Sequence, residues 1–219
     1  MDKRLASRGA GTATRPAEAL WTATAAIHES GVSLMERILP ADEPAMAWQH
    51  YPSCDVVNGE WQARWYYHSH REHIGDRPEH GHFHCFLGRG AFARQIRPLI
   101  APPLGRRPRP STVHIASLSI GFDGLPLAWS ATNRWVTDEW MYPADAIIDK
   151  LPNVSFVGRN GDPLINEWLS AMLRASRKPL ARLLRERDDH LARLDPAGED
   201  RATDIVSHIP IVIDDLLHI

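Results

Sequence analysis

The stretch Glu79-His80-Gly81-His82-Phe83-His84-Cys85-Phe86 sets histidine at every second position. Successive side chains of a β-strand point to opposite faces. As a strand, the run puts His80, His82 and His84 on one face and Gly81, Phe83, Cys85 and Leu87 on the other. A row of imidazoles backed by an apolar row asks for burial on one side and chemistry on the other. Neutral imidazole is the commonest metal ligand among side chains.

The flanking segments supply partners. Trp61 to His70 is an aromatic-rich strand, with Ala63, Trp65 and Tyr67 on one face and Arg64, Tyr66, His68 and His70 on the other. A polar loop, Arg71 to Pro78, joins it to the histidine strand, which Gly88-Arg89-Gly90 closes. A one-residue slip would send every side chain to the wrong face. Matching the apolar rows places Trp65 and Tyr67 with Phe83 and Cys85, and therefore His68 and His70 with the histidine row. Downstream, Thr112 to Phe122 and Leu125 to Trp135 form two strands around Asp123-Gly124, a hairpin signal. A two-residue turn there sets Phe122 opposite Leu125, Leu118 opposite Trp129, and His114 opposite Asn133.

The remainder is helical or irregular. Residues 15–39 read as a helix with Pro16 in its first turn and Leu20, Ala23, Ile27, Leu34, Ile38 and Leu39 as its stripe; Gly31 is a potential break. Residues 40–60 read as irregular. Residues 91–110 read as a proline-rich, basic loop, either simply solvated or serving as a lid or an anion-binding arm. A helix is expected from a Thr137 N-cap to about Leu151, and a longer one over 164–194, split or kinked at Pro179. The apolar segment Ile209 to Ile213 is expected to dock back on the body. The fold class is α+β: an antiparallel sheet of hairpins flanked by an N-terminal helix and C-terminal helices. Residues 1–14 read as a disordered tail and 15–219 as a single domain.

Composition narrows the function. A formal net charge of -2 over 219 residues removes the general electrostatic case for nucleic acid or anionic membrane as partner. No apolar run approaches the roughly 18 residues of a membrane helix. The two cysteines, Cys54 and Cys85, make neither a disulfide framework nor a zinc-finger spacing, which fits a cytoplasmic location. Cys85 falls on the apolar row, away from the histidines.

A metal site needs three or four ligands converging from rigid elements. A His-x-His pair on one strand sets two side chains about 6.6–7 Å apart on one face, and a neighbouring strand supplies the third. The candidate ligands are His80, His82, His84, His68, His70 and His114. Glu72, Asp76 and Glu79 are carboxylates that would complete a mixed triad or act as a base. Tyr66, Asn133 and Arg134, with Glu79, are the candidate catalytic or substrate-contacting groups. Three ligands with an open position suit catalytic Zn²⁺ or Fe²⁺. An all-histidine, aromatic-walled pocket tips the expectation slightly towards iron and an oxygenase-like reaction on a small molecule, ahead of a zinc hydrolase. The competing readings are a non-catalytic protein that binds a metal or small ligand, and histidines that only form hydrogen bonds. Substrate and oligomeric state are not fixed by these patterns.

Five segments together resemble an uncharacterised family of bacterial proteins, a domain of unknown function. They are His50-Tyr51-Pro52, Tyr66-Tyr67-His68-Ser69-His70, Glu79-His80-Gly81-His82-Phe83-His84, Thr132-Asn133-Arg134-Trp135-Val136-Thr137, and Asp200-Arg201. The resemblance spans about residues 16–217 and implies a single-domain unit with no assigned activity. In site design alone, the His-x-His arrangement is similar to the metal sites of cupins and of α-type carbonic anhydrases.

Overall fold

The computed structural model describes residues 15–39, 45–69, 73–74, 77–105 and 110–217. The expected tail at 1–14, His70, Glu72 and Asp76 lie outside the described residues.

The sheet contains β1 (Tyr51–Asn58), β2 (Ala63–Ser69), β4 (Arg77–Gly88), β5 (Thr112–Gly121), β6 (Pro126–Thr132) and β7 (Ile205–Pro210), in the order β1-β2-β4-β5-β6-β7. All of its pairings are antiparallel, and the two-residue β3 (His73–Ile74) pairs back on the start of β4. The α+β architecture is as expected, but the sheet is wider than the hairpins alone imply. Residues 51–58, read as irregular, form edge strand β1. Pro52 is tolerated there because an edge strand leaves one row of N–H groups unpaired. A further edge strand, β7, takes in Ile209 and Pro210 of the expected docking segment; the rest of it leads into a short helix that starts at Ile213.

The apolar face is the one that matching the rows gave. Trp65 lies opposite Cys85 and Tyr67 opposite Phe83. Above this face pack α1 (Pro16–Glu29), α5 (Pro163–Ala175) and α6 (Arg177–Leu194). Phe83 meets Trp168 of α5 at 6.2 Å between ring centroids, and the Trp65 indole donates to Asn166 Oδ1 at 2.8 Å. A buried indole needs such a partner, which α5 provides.

Helix boundaries depart from the expectation in three places. Gly31, at φ 71°, separates α1 from a short α2 (Leu34–Ile38) that opens with a Ser33–Glu36 capping box. Thr137 does not cap a long helix: it ends α3 (Arg134–Thr137), and α4 runs only from Ala144 to Ile148. The true cap is Asn133, whose side chain accepts from Arg134 N. The division between α5 and α6 falls at Ser176. Pro179 sits in the first turn of α6, where its missing N–H removes no helical bond.

The β5–β6 turn is also longer than two residues. Gly121 N donates to Leu125 O at 2.9 Å and Gly124 N to Gly121 O at 3.0 Å, leaving Phe122-Asp123-Gly124 as the loop. Gly124, at φ 76°, takes the left-handed position that such a loop requires. A register shift between Ser119 and Ile120 then restores the expected Leu118–Trp129 pair.

Candidate metal site

The second face of the sheet carries polar and aromatic side chains. His68 lies opposite His82 across β2 and β4. Their Nε2 atoms are 2.7 Å apart; His84 Nε2 is 3.0 Å from that of His82 and 3.1 Å from that of His68. Three imidazole nitrogens thus converge on one point and could hold a metal ion. Ligand nitrogens at about 2.0–2.1 Å from an ion in their own plane would stand about 3.5 Å apart. The observed separations are shorter, so His68, His82 and His84 would hold an ion only with a small outward adjustment of their rings.

Two bulges decide which side chains reach this face. The first lies in β4, between Glu79 and Gly81, where one extra residue interrupts the pairing with β5. It reverses the alternation. His80, expected in the histidine row, turns to the apolar side, where its Nδ1 is 2.7 Å from the Tyr67 hydroxyl. Glu79 takes the site side instead, and its Oε1 lies 2.7 Å from His82 Nδ1. Gly81 makes the crossing possible: a Cβ there would run into the backbone carbonyl of His68 and come within 2.7 Å of the Tyr67 hydroxyl. The second bulge lies opposite, between Cys85 and Phe86, and leaves one extra residue on β5. Strict alternation would put His114 with Leu118 on the apolar face; the extra residue returns it to the site face, beside Phe86.

Behind the three nitrogens runs a relay of polar groups. His84 Nδ1 is 3.0 Å from Ser117 Oγ and 3.1 Å from His114 Nε2, and His114 Nδ1 is 3.3 Å from Thr132 Oγ1. His114 therefore backs the converging trio and is not a member of it. Burial holds both rings neutral. It pushes His84 well below its ordinary value, helped by the neighbouring His82, His114 and His68. It lowers His114 to about 3, helped by the buried Arg187 guanidinium and by His82. A neutral imidazole is the form that ligates.

The other candidate residues have defined places. Tyr66 is sandwiched, its ring 3.8 Å from His50 and 5.0 Å from His84, with Phe86 at 5.6 Å. Burial raises its hydroxyl, so the phenol stays protonated. Asn133 and Arg134 leave the sheet just after Thr132 and build a bracket, not a wall of the site. Asn133 Nδ2 donates to Asp195 at 2.9 Å, Arg134 pairs with Asp138 at 2.7 Å, and the Trp135 indole donates to Asp200 O at 2.8 Å. This accounts for the two last motif segments together: they fasten the chain before β7 to the end of β6. His114 was expected to face Asn133; it meets Thr132 because Asn133 has already turned to cap α3.

A cleft of about 60 Å³ opens at the trio, lined by His68, His82, His84, Glu79, Trp48 and the hydroxyl residues Ser117, Ser119, Ser130 and Thr132. A larger recess of about 640 Å³ lies on the helical side, between α1, α2, α5 and the C-terminal α7 (Ile213–Leu217). Its walls are mostly apolar, and among the described residues the group that could hold a metal ion lies at the smaller cleft. The hydroxyl wall escaped the sequence reading, although its signal was present. Ser117 and Ser119 alternate with Leu118 and Ile120, and Ser130 and Thr132 with Trp129 and Ala131. A period of two in small polar residues, within otherwise apolar strands, marks a second buried face.

A family model described as "Domain of unknown function (DUF6969)" matches residues 14–211. The chain belongs to the DUF6969 family. No curated protein and no solved structure matches it. The DUF6969 match takes in every strand of the sheet and all the residues of the histidine trio, the carboxylate and the relay. Among the described residues of this DUF6969 chain, no helix is long and apolar enough to cross a membrane.

Proposed function

We propose that the protein is a metal-dependent enzyme with a mononuclear centre held by His68, His82 and His84, acting on a small molecule. One observation carries the reading. Three Nε2 atoms lie within 3.1 Å of one another, and the Nδ1 of His82 lies 2.7 Å from Glu79 Oε1. Three nitrogens cannot all be paired donor to acceptor, so at least two like groups face each other and repel unless a cation sits among them. A surface or core histidine kept for hydrogen bonding has no need of this geometry.

Glu79 fits as the positioning residue of such a centre. A carboxylate on the far nitrogen fixes the tautomer and orientation of a ligating imidazole and raises its basicity. Three protein ligands leave a position for substrate, as catalytic centres do. Iron is favoured over zinc because the trio is walled by Tyr66, Phe86 and Trp48, an aromatic surround suited to O₂ chemistry. The zinc-hydrolase alternative shares the ligands. The two separate on reconstitution of tag-free, metal-stripped protein. Stoichiometric Fe²⁺ uptake, followed by a high-spin ferrous–nitrosyl EPR signal with nitric oxide, supports an iron centre with an open position. Stoichiometric Zn²⁺ uptake without tight Fe²⁺ binding would transfer the reading to hydrolysis, and uptake of neither ion would end it.

A further inference from the structure

The wall of the cleft opposite the trio contains a polar atom that nothing described satisfies. Ser130 is 2% exposed and lines the cleft, yet among the described residues its hydroxyl has no hydrogen-bond partner. An unsatisfied buried hydroxyl is costly, so such a group calls for a ligand or water. Its neighbour Thr132, 6% exposed, lines the same wall.

We infer that Ser130 and Thr132 form the recognition wall for a small oxyanion of carboxylate type, with no more than about four heavy atoms, bound in the cleft beside the histidine trio. The inference rests on the metal reading and deepens it by naming the ligand class. Size comes from the cleft: about 60 Å³ is the room of roughly two waters, each occupying about 30 Å³ in the liquid. Charge comes from the inventory. The histidines are neutral ligands, a divalent ion brings two positive charges, and Glu79 offsets one, leaving a surplus that a monoanion neutralises. Asp204 also borders the cleft, but from its exposed rim, where solvent screens it.

Donor direction follows from the relay. Once His84 ligates through Nε2, its Nδ1 carries the proton and must donate, to Ser117 Oγ at 3.0 Å or His114 Nε2 at 3.1 Å. The direct route makes His114 Nε2 the acceptor and puts its proton on Nδ1, the donor towards Thr132 Oγ1 at 3.3 Å. Thr132 then receives a hydrogen bond from behind and is left with its own O–H to give to the cleft. Metal loading therefore turns the wall towards donors, which suits an anionic oxygen and not a cationic or apolar ligand.

The test uses the full chain loaded with Co²⁺, whose visible absorption reports its surroundings, and titrates in formate, acetate and benzoate. Wild type is expected to change its spectrum with formate and not with benzoate, which is too large for the cleft. Ser130→Ala should keep its Co²⁺ content and weaken formate by about 10-fold or more, since a hydrogen bond to a charged group is worth about 1.5–3 kcal/mol. Thr132→Val, close to isosteric, should weaken formate in the same direction. Equal formate affinity in wild type and both variants, or a benzoate response as strong as that to formate, would overturn the recognition wall while leaving the metal centre standing. Failure of wild type to take up Co²⁺ would overturn both.

Discussion

The two faces of the β2–β4–β5–β6 sheet are made by alternate residues of the same strands, and they solve opposite problems. On one, Trp65, Tyr67, Phe83, Leu118 and Trp129 are buried under α1, α5 and α6. On the other, His68, His84, His114, Ser117, Ser130 and Thr132 are just as buried, but with polar atoms that must be matched one by one. Burial is the same; what is bought differs. The first face contributes area removed from water, at about 25 cal/mol per Å². The second contributes little or nothing to stability and concentrates groups that a fold would gain by replacing with apolar ones. A face maintained against that gain points to a function.

The comparison can be broken by substitutions on adjacent positions. The largest effect on stability is expected on the helical side: Phe83→Ala should cost about 3–5 kcal/mol in denaturant unfolding. His68→Gln, on the opposite face of the neighbouring strand, should cost less than about 1.5 kcal/mol in metal-free protein while abolishing stoichiometric metal binding. A His68→Gln cost as large as that of Phe83→Ala would erase the distinction between the faces.

Next in size is Glu79→Gln. It keeps the side-chain volume but removes the charge behind His82, and should weaken metal binding about 10–100-fold by competition with a chelator. Acid comes third. The folded-state pKa of His114 is lowered to about 3, from an ordinary value near 6.5. The unfolded chain therefore binds more protons between those values, and stability is present above pH 6.5 and lost as pH falls towards 3. His114 alone should remove about 2 kcal/mol between pH 7 and pH 5, and His114→Gln, which does not titrate, should abolish this slope. The smallest effect is expected at the bracket: Asn133→Ala should cost about 1 kcal/mol as a lost helix cap and leave metal content unchanged. Loss of metal in Asn133→Ala would move that residue from the bracket into the site.

Much of this was legible in the sequence because period-two alternation is a direct print of a two-faced strand. The register of β2 on β4 and the Leu118–Trp129 pair followed from it. The membership of the site followed less well, because each bulge resets the count. His80 sits at the right period for a ligand and is turned away; Glu79 and His114 sit at the wrong period and are brought in. The only local signal was Gly81, since a glycine inside a strand marks a bulge or a close backbone approach. Strand β1 was missed because Pro52 and its exposed neighbours look like loop, and an edge strand buries too little to print a pattern. The Asn133–Asp195 bracket joins residues far apart in the chain, and no local pattern announces such a pair.

The most direct test is the metal content of tag-free protein, reconstituted with Fe²⁺ or Zn²⁺ and desalted, measured beside a His68→Gln/His84→Gln double variant whose fold is verified by circular dichroism. Convergence of the three nitrogens predicts stoichiometric metal in the wild type and background levels in the variant. A folded wild type that retains no more metal than the variant would contradict it.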